Sequence, residues 1–298
     1  MKNWKLVQRA AVNDQKWNKV VEQSKEEHIY GYTYYLDAVG APWLGCILGD
    51  YEAVLPLFRK KKMGLSYLCQ THHVQRSAVY STIELPKTYG DVAKCISSLA
   101  TEFDFMLVND VELNLDVVKR SNYVLNLNRP ISEIRKSYSK NLVRKINSGK
   151  RQGFELLEFG VNGLNQAINI FQEEKNFDLT NEWYESLRNV ATEEYAQTYG
   201  LKIKNMELAY VLLVRSQSRI TLLFTAQTEM GRKLNGMSFL IDAILEKFAN
   251  QDVLFDFEGS EKEGLVRFYK SYGAEKETYF HYQSNGMIKR LKSLLKGK

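Results

Sequence analysis

Apolar positions in the first half of the chain predict short strands separated by helices. Two apolar runs, Trp43–Leu48 and Glu52–Phe58, flank Gly49-Asp50, and a Gly-Asp pair between such runs is typical of a β-hairpin. The apolar spacing also predicts strands at Leu65–Cys69, Ala78–Tyr80, Phe103–Val108 and Tyr123–Leu127, and helices at Gln15–Ser24 and Tyr89–Thr101.

The segment after residue 128 combines a helical apolar pattern with positive charge. Its apolar residues recur at helical spacing and predict one buried stripe: Ile131, Ile134, Tyr138, Leu142 and Ile146. Lys136, Lys140 and Arg144 recur every fourth residue and are expected to lie on another face of the same helix. Ser148-Gly149 and Gly153 are expected to break it.

The remaining pattern is more regular and alternates helices with strands. It predicts the helices Leu164–Glu174 and Glu182–Ala196, the strand pair Glu207–Val214 and Ile220–Thr225, a glycine-containing loop at Glu229–Gly236, the helix Met237–Phe248, the strand Val253–Phe257, the helix Glu261–Tyr272 and the strand Glu277–Tyr282.

Length and composition limit the possible classes of protein. A chain of 298 residues with 44% hydrophobic and 26% charged residues is typical of a folded protein with two domains of ~150 residues. We place the domains at residues 1–128 and 129–286, followed by a basic amphipathic tail at 287–298. The longest apolar run, Ala209–Val214, is far shorter than the ~20 residues that a membrane-spanning helix needs. No integral membrane association is therefore expected.

The cysteines and the N-terminal segment favour a reducing compartment. Cys46, Cys69 and Cys95 are odd in number, and no pair has metal-ligand spacing. Neither a disulfide framework nor a metal site is expected. The N-terminal residues show no apolar stretch typical of a secretory signal, so a cytoplasmic location is expected.

The net charge of +6 is concentrated in two elements. The segment Arg129–Arg151 holds eight Lys or Arg residues against Glu133 alone, and the tail after residue 286 holds five more. Like charges one helical turn apart repel each other, so Lys136, Lys140 and Arg144 need acidic partners or an anionic ligand, unless they form a solvated face. Together with Lys145, these cations are candidate substrate-binding or RNA-binding residues.

The loop from Met230 to Ser238 is a candidate phosphate site. A glycine-bearing loop at a helix N-terminus exposes unpaired backbone N–H groups, and the helix dipole favours an anion there. Arg232 and Lys233 add positive charge. The alternative is a polar connection with two solvated cations.

Two residues further along are candidates for proton transfer. Glu258 follows a predicted strand and is a candidate general base or amine ligand, or else a carboxylate at the sheet edge. Tyr269 is a candidate proton donor to a leaving thiolate, or else a packing residue. Between them, Ser260 and Glu263 match the S-x-x-E capping box and are expected to begin a helix.

The order of the predicted elements resembles the acetyl-CoA-binding half of GNAT N-acyltransferases. Lys233-Leu-Asn-Gly-Met-Ser238 is similar to the R/Q-x-x-G-x-G/A loop of that family, with Lys in the first position and Ser in the last. Phe268-Tyr-Lys-Ser-Tyr-Gly-Ala274 is similar to its Y-x-x-x-G-F helix end, with Ala274 in place of Phe. In the family this tyrosine often protonates the departing coenzyme A thiolate, and Tyr269 matches it.

The middle of the chain resembles Fem-type transferases, which carry two tandem GNAT-like domains. The similar stretches are Tyr123–Leu127, Ile131–Arg135, Ser139–Ile146 and Gln152–Leu156. Fem-type enzymes move an amino acid from aminoacyl-tRNA to the amine of a peptidoglycan precursor. The resemblance implies an α+β (mixed α/β) fold, in which each domain has a mixed, mostly antiparallel twisted sheet flanked by helices, and in which the first domain is degenerate.

The resemblance also implies a function. We expect an N-acyltransferase that uses coenzyme A or acetyl-CoA as donor and a small-molecule or cell-wall-precursor amine as acceptor. It implies catalytic roles for Glu258 and Tyr269, and donor binding by a set in the glycine loop: Arg232, Lys233, Asn235, Gly236 and Ser238. Two alternatives stay open: aminoacyl-tRNA bound along Lys136, Lys140 and Arg144, or a non-catalytic GNAT-like binding protein.

Overall fold

The computed structural model describes residues 3–62, 64–85, 90–159, 161–174 and 179–284, and the basic tail expected at 287–298 lies outside them. The chain divides into two compact units. The first comprises Met1–Arg120 and Thr278–Lys298, and the second comprises Ser121–Glu277. The domain limits of 128 and 286 that we expect from the sequence stay predictions.

The first unit is built around a mixed sheet. Its helices are α1 (Asp14–Gln23), α2 (Thr33–Val39) and α3 (Gly90–Ser97), and its strands are β1 (Trp4–Gln8), β2 (Trp43–Leu48), β3 (Ala53–Lys62), β4 (Leu65–Cys69), β5 (Tyr80–Ser81) and β6 (Glu102–Leu107). The order is β1-β2-β3-β4-β6, and β5 also pairs with β3. All these pairs are antiparallel except β4 with β6. The predicted hairpin is confirmed, since Leu48 pairs with Ala53.

The cysteines depart from the sequence-based expectation. Cys46 on β2 and Cys95 on α3 form a disulfide pair, with Cα atoms 7.2 Å apart. Both residues belong to the apolar cluster that packs α3 onto the sheet of the first unit. The expectation of unpaired cysteines is therefore wrong for these two, because residues 49 positions apart in sequence meet only through that packing.

The second unit contains the remaining elements. Its helices are α4 (Ile131–Lys136), α5 (Lys140–Gln152), α6 (Val161–Glu174), α7 (Asn181–Ala191), α8 (Glu229–Lys233), α9 (Gly236–Phe248) and α10 (Glu263–Ser271). Its strands are β8 (Glu155–Phe159), β9 (Ala196–Ile203), β10 (Met206–Arg215), β11 (Arg219–Gln227) and β12 (Leu254–Gly259). The unit boundaries fall inside β7 (Asp116–Asn126) and β13 (Glu275–Gln283).

The sheet of the second unit follows the order β7-β12-β11-β10-β9-β8. Only β11 and β12 run parallel, and the other neighbours are antiparallel. Helices α4, α5, α9 and α10 contribute to one apolar cluster on the sheet, and α6 and α7 contribute to another. The predicted class, with mostly antiparallel mixed sheets flanked by helices, is therefore confirmed.

Two elements differ from the pattern-based expectation. The predicted helix Glu182–Ala196 ends at Ala191, and Ala196 begins strand β9, which the sequence reading missed. The predicted capping box does not form: Lys262 is the N-cap of α10, and the Ser260 hydroxyl accepts a hydrogen bond from the Lys262 N–H at 3.1 Å. A local side-chain turn therefore takes the place of the cap.

The basic segment is two helices and not one. Ser139 caps α5 by accepting the Leu142 N–H at 3.2 Å, and its own N–H donates to the Ser271 carbonyl at 2.8 Å. This cap starts a new helix, so Lys136 does not share a helix with Lys140 and Arg144. The expected break at Ser148-Gly149 is also wrong, since α5 continues to Gln152. Gly149 serves close packing there: an added Cβ would lie 2.7 Å from the Phe239 ring.

The predicted buried stripe is confirmed across both helices. Ile134, Tyr138, Leu142 and Ile146 are all buried in the cluster beneath α4 and α5. Among the described residues, no helix is both long enough and apolar enough to cross a bilayer.

Candidate functional site

The parallel strands β11 and β12 separate after a short stretch of pairing. They pair from Arg219 with Leu254 to Thr221 with Asp256. On β11, Leu212 faces Phe224 and Leu213 faces Leu222, so Leu223 is an extra residue that forms a bulge. The pairing of β12 with β7 shifts between Asp256 and Gly259. Bulges bend a strand and are common beside active sites.

A cavity of about 410 Å³ lies in the second unit, against the distal half of β11. It is lined by Lys145, Phe171, Leu222, Thr225, Ala226, Gln227, Arg232, Asn235, Met237, Ser238, Gly264, Leu265, Phe268 and Tyr269. These residues come from strand β11, helices α5, α6, α8 and α10, the first turn of α9 and the residue Asn235 before it. The distal half of β11, the start of a helix and a tyrosine therefore meet in one place.

The glycine-containing loop is more ordered than predicted. Thr228 accepts the Gly231 N–H at 3.0 Å and starts the short helix α8 over Glu229–Lys233. Gly231 is buried against β10, where an added Cβ would lie 1.9 Å from the Leu208 carbonyl oxygen. This contact seats α8 on the sheet and thereby sets the position of Arg232.

The predicted donor-binding residues divide into two groups. Arg232, Asn235 and Ser238 line the cavity, and Gly236 is the buried first residue of α9. Lys233 is not among the lining residues: its ammonium pairs with Glu229 on α8 at 2.6 Å, and its side chain is 64% exposed. Asn235 has a left-handed backbone with φ of 58° and makes no side-chain cap. The first N–H groups of α9 therefore lack the side-chain acceptor that often caps a helix.

The four cations predicted to bind substrate or RNA also lie in different environments. Lys145 lines the cavity, whereas Lys140 and Arg144 lie exposed on α5. Lys136 pairs with Glu133 at 2.6 Å and is 70% exposed. The cavity is thus bordered by the cations Lys145 and Arg232, and none of its described lining residues is a carboxylate.

Tyr269 lies on α10, with its ring buried beside the cavity. Its ring centroid is 5.1 Å from that of Phe257 and 5.8 Å from that of Tyr123. Burial, followed by the negative charges of Glu258 and Asp256, raises the pKa of Tyr269 to about 12. Its hydroxyl is therefore protonated at neutral pH.

Glu258 occupies an unusual backbone position near the end of β12. Its φ is 59°, a left-handed conformation that is uncommon for residues other than glycine and asparagine. Its N–H donates to Asp256 Oδ1 at 2.8 Å. Glu258 is half-buried and is not among the residues that line the cavity.

A buried ionic network supports this end of β12. Arg219 donates to Asp256 Oδ2 at 3.1 Å and to both carboxylate oxygens of Glu277 at 2.9 Å. Asn122 donates to Glu277 at 3.2 Å. Burial alone would raise the pKa of Glu277, but the hydrogen bonds and charge of Arg219 lower it below its ordinary value.

The first unit has a comparable parallel pair without a comparable cavity among its described residues. Strands β4 and β6 pair from Tyr67 with Glu102 to Cys69 with Asp104. Beyond this point, Ser77 donates its N–H to the Met106 carbonyl and accepts the Val108 N–H, both at 2.9 Å. A chain segment therefore occupies the space beside β6, and the degenerate first domain stays a prediction.

Comparisons with known proteins identify the fold. No family model and no curated protein matches the chain. The structure is similar to that of FemX, with a TM-score of 0.66 and 13% identity over 97% of this chain and 99% of that one. It is similar to L-PGS from Bacillus licheniformis, with a TM-score of 0.59 and 12% identity over 95% and 96% of the two chains.

A third similar structure is the C-terminal domain of a putative lysylphosphatidylglycerol synthetase from Agrobacterium fabrum. Its TM-score is 0.58, with 9% identity over 91% of this chain and 92% of that one. The chain has a GNAT-like fold of the Fem type. The predicted resemblance is thus confirmed at the level of fold, which does not by itself assign chemistry.

Sequence reasoning missed the ionic contacts that hold this Fem-type fold around the site. Besides the Arg219 network, Arg135 makes a bidentate pair with buried Asp242, at 3.0 and 2.8 Å, and ties α4 to α9. The sequence signal for these contacts was weak. It consisted of Asp242, a single acidic residue on the apolar face of α9, and Asp256, a single acidic residue inside the apolar run of β12. A carboxylate in such a position needs a buried partner, but the sequence does not say which.

Proposed function

We propose that the chain is an N-acyltransferase that moves an acyl or aminoacyl group from an acyl-CoA-type donor to an amine acceptor. One observation carries this proposal: Arg232, Lys145, the start of α9 and Tyr269 border a single cavity against β11, beyond the residues of β11 that pair with β12. That arrangement combines an anion site with a proton donor. The names of the similar structures support group transfer on this fold.

The donor phosphates are proposed to bind at the cationic end of the cavity. Arg232 and Lys145 supply charge, and the backbone N–H groups of Gly236 and Met237 supply hydrogen-bond donors at a helix N-terminus. A cavity with these two cations and no carboxylate among its described lining residues suits a pyrophosphate. Coenzyme A and acetyl-CoA are the donors to test first.

The proposed transfer needs three groups of this chain. Glu258 accepts, through water, the proton that the acceptor amine loses as its nitrogen attacks the donor carbonyl. A backbone N–H of β11 is proposed to stabilise the oxygen charge that develops, and the bulge at Leu223 bends this strand beside the cavity. Tyr269 gives its proton to the thiolate as the carbon–sulfur bond breaks and the carbon–nitrogen bond is complete. Its raised pKa ensures that the proton is present.

The exposed side of α5 favours a second candidate donor, aminoacyl-tRNA. Lys140, Arg144, Lys150 and Arg151 are exposed on the helix that also brings Lys145 to the cavity. Phosphate contacts along these cations would make affinity fall steeply with salt. A tRNA affinity that is unchanged between low and physiological salt would exclude this candidate.

Thermal unfolding with coenzyme A and acetyl-CoA tests the proposal. Ligand at ~100 times its dissociation constant stabilises the fold by about 2.7 kcal/mol, and Arg232→Ala and Lys145→Ala are expected to reduce this shift. Lys233→Ala and Lys136→Ala are matched controls, since both lysines pair with carboxylates outside the cavity lining, and they should keep the shift.

The other outcomes point to the alternatives. If millimolar coenzyme A causes no shift in the unmodified protein, the acyl-CoA donor is wrong, and a salt-dependent tRNA titration follows. If neither donor binds, the chain is a non-catalytic binding protein. The cytoplasmic location stays a prediction.

A further inference from the structure

The conformation of Glu258 is unfavourable by itself. A left-handed backbone is unfavourable at a residue with a Cβ atom, and such conformations persist only where surrounding contacts hold them. One such contact is the hydrogen bond from the Glu258 N–H to Asp256 Oδ1, at 2.8 Å. Asp256 therefore helps to hold the turn that presents Glu258.

Asp256 is itself held firmly. Its side chain is fully buried, and its second oxygen accepts a hydrogen bond from Arg219 at 3.1 Å. Arg219 in turn binds both oxygens of Glu277, which also accepts from Asn122. The anchor thus takes one residue from each of β7, β11, β12 and β13.

Asp256 lies at the point where the regular pairing of β12 with its neighbours stops. Asp256 is the last residue of β12 that pairs with β11, and the shift in pairing with β7 begins directly after it. The residue that ends the parallel pairing therefore also accepts the hydrogen bond that holds the Glu258 turn.

We propose that Asp256 is a positioning residue, which holds the Glu258 turn and thereby sets the direction of the Glu258 carboxylate. The catalytic part of this inference rests on the proposed function, in which Glu258 takes the acceptor's proton. Arg219 and Glu277 fix the Asp256 side chain, so the network on β7, β11, β12 and β13 supports the reacting groups without touching substrate.

Crystal structures of variants test the positioning directly. Asp256→Ala removes the acceptor of the Glu258 N–H, and Glu258 is expected to leave the left-handed region. Asp256→Asn keeps an oxygen acceptor of the same shape, and Glu258 should stay in place. Asp242→Asn is the matched control, because Asp242 is a buried carboxylate on α9 that pairs with Arg135 on α4. An unchanged Glu258 backbone in Asp256→Ala would overturn the proposal.

A double-mutant cycle tests the catalytic consequence. The assay is release of thiol from acetyl-CoA, with ethylenediamine as the acceptor amine, across a range of pH. Removing a general base costs ~100-fold in kcat, so Glu258→Gln should lose about that much. Asp256→Ala should lose roughly tenfold in kcat, with little change in the KM for acetyl-CoA, and nothing further when Glu258 is already Gln.

The results distinguish the positioning role of Asp256 from the proposed use of an acyl-CoA donor. If Asp256→Ala lowers kcat by the same factor with and without Glu258→Gln, Asp256 does not act through Glu258 and the proposal is wrong. If the unmodified protein releases no thiol, the proposed donor fails, while the crystal structures still decide whether Asp256 holds the Glu258 turn.

Discussion

Replacing Gly231 by alanine should displace α8 and disturb the cavity. The added Cβ would lie 1.9 Å from the Leu208 carbonyl oxygen and 2.8 Å from its carbon, both of them backbone atoms inside the sheet. That oxygen also accepts the Thr228 N–H at 2.9 Å. Because contacts below 3.0 Å essentially never occur for a Cβ, α8 must move outward by about 1 Å.

The cost follows from this overlap. Inserting one methyl group into a packed site destabilises a protein by roughly 1–3 kcal/mol. For a unit the size of Ser121–Glu277, about 2 kcal/mol lowers the Tm by roughly 4–8 °C. Arg232 follows Gly231 directly, so the same displacement should weaken the thermal shift that coenzyme A produces.

The assay is thermal unfolding, with and without coenzyme A. Gly264→Ala is the matched control for the unfolding temperature without ligand, because Gly264 also lies in a helix of the second unit and an added Cβ would meet nothing within 4 Å. Since Gly264 lines the cavity, this control is not used for the coenzyme A shift. Alanine at this helical position should not destabilise the fold. If Gly231→Ala unfolds at the unmodified temperature, the packing argument is refuted. If it unfolds early but keeps the full coenzyme A shift, the link from α8 to the donor site is refuted.

Three further predictions concern the residues around the site. Tyr269→Phe should lower kcat with little change in coenzyme A affinity, since it removes only the proton; equal turnover would exclude Tyr269 from the reaction. Arg135→Ala leaves Asp242 buried without its bidentate partner and should destabilise the fold by about 3 kcal/mol in urea unfolding; a loss below about 1 kcal/mol would contradict this. Because Arg219 lowers the pKa of Glu277, the ionised Glu277 stabilises the fold above its ordinary pKa of 4.5, and this contribution is lost as the pH falls below that value. Glu277→Gln should therefore flatten the acid side of the stability profile, and an unchanged profile would show that the pair contributes nothing.

Sequence patterns predicted strands and helices well where the apolar spacing was long and regular. The buried stripe from Ile134 to Ile146 and the strand pair β10–β11 are examples. The patterns failed where a hydrogen bond from a single side chain determined the local backbone conformation. Ser139 starts a new helix inside one continuous apolar period, and Thr228 turns a predicted loop into α8. A hydroxyl group that accepts a hydrogen bond from a nearby N–H does not change the spacing of the apolar residues, so the apolar pattern does not reveal it.

The predictions for the site likewise included some of the residues that line the cavity and were incomplete for others. Residue types and order alone predicted Arg232, Asn235, Ser238, Glu258 and Tyr269 as members of one site, although their roles stay proposals. They could not tell that Lys233 pairs with Glu229 while Lys145, from a different helix, reaches the cavity. Both are lysines in basic segments, and only the packing of α5 against α9 distinguishes them.

The sequence by itself determined most helices and strands and their order, because these depend on local spacing and turn chemistry, and the resemblance that its motifs carry implied the fold class. Only the tertiary structure decided which charges pair. The residues of one such network are far apart in the chain: Arg219, Asp256 and Glu277. They meet because their strands β11, β12 and β13 lie within the same part of the sheet, in the order β13-β7-β12-β11. A buried charge selects its partner by distance in space, and that distance exists only after the strands have paired.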